Sequence, residues 1–166
     1  SKYLESLSTF KCNFVQANPD GTISEGTMLY SEKKIRINYK KPSKITFIAK
    51  SKKAMYYHED LEEVHYFNPK KTIFVLFNNL LDFSSFPKNN YNISVEDKAI
   101  EVQINNTEVE EIQSFILMLQ NEPVELKKIK WVGVDNLRYS FSVFNMVSGI
   151  IINDKEFNMA HPLLNN

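Results

Sequence analysis

The chain has 166 residues, a length that suits one domain spanning residues 1–166, and 43% of them are apolar. That is enough for a core and too apolar for a disordered segment. Its 20 basic residues balance its 20 acidic ones, so it lacks the net positive charge that draws proteins to nucleic acid. Cys12 is the single cysteine, which rules out an intramolecular disulfide and leaves the compartment open. The apolar runs, such as 115–119 and 149–152, are too short to cross a membrane as helices. The start at Ser1 rather than Met fits a trimmed chain or a mature chain whose signal peptide has been removed.

In chain order, residues 2–11 read as a short amphipathic helix with Leu4, Leu7 and Phe10 on its stripe. Phe14 and Gln16 then lead into a hairpin at Asn18-Pro19-Asp20-Gly21, where proline presets φ and glycine accepts a positive one. A returning strand over about 22–30 ends in the turn Ser31-Glu32-Lys33-Lys34. Beyond it, Ile35, Ile37 and Tyr39 alternate with Arg36, Asn38 and Lys40 up to a break at Pro42. Ile45 and Phe47 follow, then a lysine-rich turn, then Met55 and Tyr57, and a last strand with Val64 and Tyr66. Such alternation marks strands with one buried face. Strand parity puts Ile35, Ile37 and Tyr39 on one face, and Ile45, Phe47, Met55 and Tyr57 are expected to continue it. The segment carries more apolar surface than an ordinary sheet face needs. It covers either an internal core or an apolar guest.

The period changes at 71–81, where Ile73, Phe74, Phe77, Leu80 and Leu81 fall at helical spacing behind Thr72 as a cap. A loop over 82–90 follows. Strands resume at about 91–96, 99–105, 112–120, 124–132 and 136–144, with turns at Asp97, Glu122-Pro123 and Asp135-Asn136. The tail from Gly149 looks irregular, with Phe157 and Leu163 as anchors. The fold class is mainly β with a few helices. About eleven antiparallel strands in one small domain must curl, and an incomplete, half-closed β-barrel covered by the internal helix meets that need.

Catalytic and metal chemistry find little support. The cluster His58, Glu59, Asp60, Glu62, Glu63 and His65 has no standard ligand spacing and reads as a solvated acidic turn. Ser84, Ser85 and Ser140 lack an elbow motif, and Glu108, Glu110 and Glu111 form another acidic turn. Cys12 reads as a small buried side chain, and Trp131 as core or cavity wall. No enzyme, metal or cofactor is expected.

An ordered set of short motifs resembles one family. Phe10, Phe14 and Gln16 match its F-x-x-x-F-x-Q opening, and Gly26 with Tyr30 its glycine-bearing strand. Ile35, Arg36, Tyr39 and Pro42 match K-I-R-F-x-Y-x-x-P. Tyr57, Asp60, Leu61 and Val64 match Y-x-x-D-L-x-x-V, and Thr72, Leu76, Leu80 and Leu81 its threonine-led, leucine-rich helix. Over about residues 4–85 the chain is similar to LolA, the periplasmic carrier of outer-membrane lipoproteins, in the form common among alpha-proteobacteria. After that the likeness is architectural.

The resemblance implies a half-closed barrel with a helical lid over a hydrophobic cavity that takes lipoprotein acyl chains. Its site residues would be Phe14, Ile35, Ile37, Tyr39, Ile45, Phe47, Met55 and Tyr57 from the barrel, and Phe74, Phe77 and Leu81 from the lid. The implied partners are acylated lipoproteins, an inner-membrane lipoprotein-releasing ABC complex and an outer-membrane LolB-like receptor. The implied carrier is a periplasmic monomer that uses no nucleotide or metal. One departure stands out. The family's Arg-Pro-Gly or Arg-Pro-Asn turn, whose arginine is associated with lid closure, is replaced by the shorter Ser31–Lys34 turn. The alternative on the same fold is a lipid-binding receptor or sensor module. A receptor of that type would carry a lipidated N-terminal cysteine, and Cys12 has no lipobox before it.

Overall fold

The computed structural model describes residues 8–72, 74, 91–105, 109–122 and 125–164. Eleven strands form one antiparallel sheet: β1 (Thr9–Ala17), β2 (Ile23–Ser31), β3 (Lys34–Lys41), β4 (Ile45–Ala49), β5 (Ala54–His58), β6 (Glu63–Phe67), β7 (Tyr91–Glu96), β8 (Ala99–Asn105), β9 (Ile112–Gln120), β10 (Glu125–Gly133) and β11 (Arg138–Ser148). The order across the sheet is β6-β5-β4-β3-β2-β1-β11-β10-β9-β8-β7. Two meanders therefore meet at a single non-sequential seam, β1 against β11, with Phe14 opposite Val143 and Ala17 opposite Ser140. Among the described residues, strands β6 and β7 are the two edges of the sheet, which is not closed.

The expected helix over 2–11 does not extend to Lys11, because Thr9–Lys11 already belong to β1; residues 1–7 lie outside the described residues. Phe10, Cys12 and Phe14 alternate onto one face, and β1 has a partner on each side, β2 and β11. Two ladders of hydrogen bonds outweigh a three-residue apolar spacing that a short helix would have had to exploit alone.

The inner face of the sheet is continuous. Phe10, Phe14, Met28, Ile35 and Ala49 from one meander share a buried cluster with Ile104, Phe115, Leu117, Ile129 and Phe141 from the other. Such a cluster requires the sheet to curl on itself, which strand twist and irregular register permit. Register shifts occur between Lys11 and Asn13 against β11, between Glu25 and Gly26 against β3, and between Leu126 and Lys128 against β9. At the second of these, a Cβ on Gly26 would overlap the Asn38 carbonyl, so only glycine allows β2 and β3 to approach this closely.

The Ser31–Lys34 turn is a two-residue hairpin with φ of 45° at Glu32 and 69° at Lys33. Positive φ at both central residues is the mirror-image turn that matches strand twist, here made without the usual Asn-Gly.

The outer face of β2–β6 has its own cover. Ile48, Met55, Phe157 and Met159 form a second buried cluster, with Leu29, Tyr57, Val64 and Ile152 packed around it. The C-terminal tail reaches this face through a 3-10 turn at Asp154–Phe157, whose Asn153 side chain caps the Lys155 amide at 2.9 Å. Lys34 Nζ reaches Asp154 Oδ1 at 2.8 Å, Arg36 Nη1 donates to the Glu156 carbonyl at 3.0 Å, and Tyr66 Oη donates to the Met159 carbonyl at 2.9 Å. Of the two expected anchors, Phe157 is fully buried, while Leu163 is 41% exposed and leaves that role to Met159.

The ion pairs are exposed and contribute little; the buried ring holds the tail. Phe157→Ala should lower unfolding free energy by about 3–5 kcal/mol in a urea titration. Asp154→Asn should shift the midpoint far less. Equal shifts would mean that the charges, not the ring, fasten the tail.

Candidate functional site

Between the two meanders lies an apolar cavity of about 70 Å³. Its wall is made by Met28, Ile35, Ile37 and Phe47 on one side, Ile129 and Phe141 on the other, and Thr72 and Phe74 between them. The register explains the grouping. Tyr30 opposes Ile35, Met28 opposes Ile37, and Ile37 opposes Phe47, so these side chains project inward together. Ile129 opposes Phe141 in the same way across β10 and β11. Phe47 and Ile129 belong to strands far apart in the sheet, and they meet only because the sheet curls.

Thr72 and Phe74 come from the chain leaving β6. Asn68 caps a 3-10 turn, Pro69–Lys71, by accepting from the Lys70 amide at 3.0 Å, and Thr72 Oγ1 donates back to the Pro69 carbonyl at 2.7 Å. This turn delivers Phe74 to the interior, where it is buried in the main cluster. Thr72 also borders a wider cleft of about 470 Å³, open to solvent and lined by Ile112, Trp131, Val134 and Tyr139 with Glu111 and Asp135 at its edge. Trp131 and Tyr139 stack there at 5.0 Å, nearly parallel.

Of the residues singled out from the sequence, Ile35, Ile37, Phe47 and Phe74 line the cavity. Phe14 lies behind its wall, fully buried and stacked on Phe141 at 4.3 Å. Tyr39 meets Phe14 edge-on at 5.2 Å, and Ile45, its partner on β4, shares its face. Met55 and Tyr57 do not share that face. Ala49 pairs with Ala54 across the four-residue turn, so Phe47 opposes Tyr56 and Met55 opposes Ile48. Met55 and Tyr57 therefore point outward, into the cluster sealed by Phe157. Phe77 and Leu81 lie outside the described residues. Met28, Ile129 and Phe141 went unassigned; their signal was the strand alternation of β2, β10 and β11, which becomes informative only once β11 is placed beside β1.

One end of the inner face is polar. Tyr39 Oη donates to Gln16 Oε1 at 2.7 Å, Gln16 Nε2 to Asn18 Oδ1 at 2.8 Å, and Asn18 Nδ2 to Thr22 Oγ1 and Ser24 Oγ at 3.1 Å each. This chain ties the expected F-x-Q strand to its hairpin. Burial pushes the Tyr39 phenol up to about 12 from an ordinary 10.0, with a smaller push from Tyr56. Burial likewise raises the Cys12 thiol to about 12, which suits a packed side chain on β1 opposite Met28 and not a nucleophile. His58 Nδ1 accepts from the Leu61 amide at 3.3 Å, and His65 lies 3.8 Å from Glu63, so these histidines are engaged locally in their hairpin.

The raised phenol has a definite sign. The neutral form is favoured in the folded state, so its contribution is complete below pH 10 and is lost as pH rises through about 12. An absorbance titration of the native protein should show a phenol ionising near pH 12 that Tyr39→Phe removes. Persistence of that transition in the variant would assign it elsewhere.

The family model for outer membrane lipoprotein carrier protein LolA matches residues 5–160. No curated protein matches the sequence significantly. Among solved structures, an uncharacterized conserved protein from Thermus thermophilus aligns with a TM-score of 0.59 at 8% identity, over 94% of this chain and 88% of that one. A DUF1329 family protein from Desulfovibrio piger aligns with a TM-score of 0.53 at 7% identity, over 95% and 92%. A LolA superfamily protein from Nitrosomonas europaea gives a TM-score of 0.47 at 9% identity, over 91% and 90%. The two higher-scoring likenesses support the fold alone. The family match covers nearly the whole chain, and the chain belongs to the LolA family.

Proposed function

We propose that this LolA-family protein is a carrier for acylated lipoproteins, with the interior of its open barrel receiving the acyl chains. The observation that carries this reading is the apolar cavity held between the two meanders, roofed by Phe74 rather than filled by packed side chains. Burying a methylene is worth roughly 0.8 kcal/mol, so one long acyl chain gains on the order of 10 kcal/mol from a cover and several chains gain a multiple of that. A lipoprotein crossing water needs such a cover. In this reading the carrier works in the periplasm as a monomer without cofactor or enzymatic activity. It takes cargo from an inner-membrane ABC complex and passes it to a LolB-like outer-membrane receptor.

The cavity is about half the size of the roughly 150 Å³ apolar void that binds benzene in a well-studied case, so a long acyl chain needs more room. Loading must displace Phe74 and Thr72 and join the cavity to the wider cleft that Thr72 borders. The family's turn arginine has no counterpart in the Glu32-Lys33 reversal. Closure therefore relies on apolar contacts such as those of Phe74, and the energy that expels water when empty is recovered by cargo when loaded. Cys12 is a buried thiol inside β1 opposite Met28, so it belongs to the barrel wall and is not itself an acyl anchor.

Two substitutions should act in opposite directions. Phe74→Ala opens the cavity and should strengthen uptake of an apolar fluorescent dye several-fold, while Ile37→Phe fills it and should weaken uptake. Displacement by a diacyl lipopeptide checks that the dye occupies the cargo site. Unchanged dye affinity in both variants would place the apolar site elsewhere.

A further inference from the structure

Strands β2, β4 and β6 run toward one rim of the open barrel, and β3 and β5 run away from it. The β2–β3 turn, the β4–β5 turn and the segment after β6 therefore lie side by side at that rim. They gather lysines that are scattered in sequence: Lys33 and Lys34 from the first, Lys50, Lys52 and Lys53 from the second, and Lys70 from the third. Among the described residues the carboxylates beside them are Glu32, Asp154 and Glu156, the last paired with Arg36 at 3.2 Å, and the turns of the other meander add Asp97 and Glu122 farther along the same rim. Asp154 is held below the usual carboxylate range by its hydrogen bond and charge contact with Lys34, and to a smaller degree by Lys50. Lys52, Lys53 and Lys70 are exposed.

Two aromatic side chains accompany this charge. Tyr66 is 43% exposed and is fixed from both sides: Lys53 Nζ lies 4.9 Å from its ring centre, and its hydroxyl bonds the tail at Met159. Phe67 is 38% exposed, and its ring lies 6.0 Å from that of Phe47 on the cavity wall. Lys70 precedes Thr72 of the cavity roof by two residues. The opposite turn, between β5 and β6, carries Glu59, Asp60, Glu62 and Glu63. Strands β4 and β5 have 5 residues each, so the two ends are separated by about 17 Å. That exceeds the Debye length of about 8 Å at physiological salt, so the basic end acts as a separate charge despite the chain's zero net charge.

We infer that this lysine-rich rim docks onto the anionic headgroups of a lipid bilayer, with Tyr66 and Phe67 at the headgroup level. Clustered lysines beside half-exposed aromatic rings are the pattern that holds a protein at an anionic interface. At the opposite rim Lys40, Lys41 and Lys44 of the β3–β4 turn stand beside Glu59, Asp60, Glu62 and Glu63 and leave no net positive charge there, so contact is oriented and brings the Phe67–Phe47 side of the cavity to the membrane. The inference rests on the carrier reading only for its purpose; the docking itself needs no cargo.

The test is flotation of the cargo-free protein with phosphatidylcholine vesicles, with and without phosphatidylglycerol, at low and high salt. Binding should require phosphatidylglycerol and disappear at high salt. Each lysine near a charged bilayer is worth roughly fivefold in affinity, so K52Q/K53Q/K70Q should weaken binding on the order of 100-fold. The matched triple K40Q/K41Q/K44Q, at the opposite rim, should weaken it severalfold at most. Matching thermal melts of the two triples would show that neither loss comes from unfolding. Absence of binding at low salt, equal binding to neutral vesicles, equal loss in both triples, or self-association in place of vesicle binding would each overturn the proposal. A protein that takes up the dye and ignores every vesicle would keep the carrier reading and lose this one.

Discussion

The structure depends on β1 being paired along both edges. It joins β2 through a tight hairpin and β11 across most of the chain, and this second pairing turns two separate meanders into one curled sheet. Without it each meander would expose its apolar face to water. With it, Phe14 stacks on Phe141, the inner faces become one surface, and a cavity remains where they do not quite meet. Contacts this distant in sequence must overcome loop-closure entropy before they stabilise anything, so the seam is also the slow step one expects in folding.

The two faces of the β2–β6 half are treated differently. The outer face is sealed by the chain's own tail, with Phe157 at its centre and polar bonds around it. On the inner face, among the described residues, Thr72 and Phe74 stand over an apolar cavity. A fully packed interior would have been more stable and could not take up a guest. An apolar void in place of full packing is the compromise that the proposed carrier role would require.

Much of this was legible in the sequence because strand alternation is a local signal. The eleven strands follow from alternating apolar positions and from turns at Asn18–Gly21, Asp97 and Asp135-Asn136. The face of Met55 and Tyr57 was not legible. It depends on the pairing of Ala49 with Ala54 across Lys50–Lys53, and only the tail's Phe157 gives those outward side chains a partner. Similarly, Leu4, Leu7 and Phe10 suggested a helix, yet Phe10 is claimed by a ladder whose second partner lies at Ser148. The cavity residues from β10 and β11 went unassigned for the same reason, since their position depends on the distant seam. The lysine rim was legible only in pieces: the lysine-rich turn after Phe47 and the Lys33-Lys34 pair are local signals, but only the meander brings them together with Lys70.

The central claim is that the barrel interior accepts acyl chains. Native mass spectrometry of the protein co-produced with an acylated lipoprotein, purified without detergent, tests it most directly. A one-to-one complex with the acylated form, and none with the same lipoprotein lacking its acylated cysteine, is the predicted result. Free protein in both preparations, or equal complex in both, would contradict it.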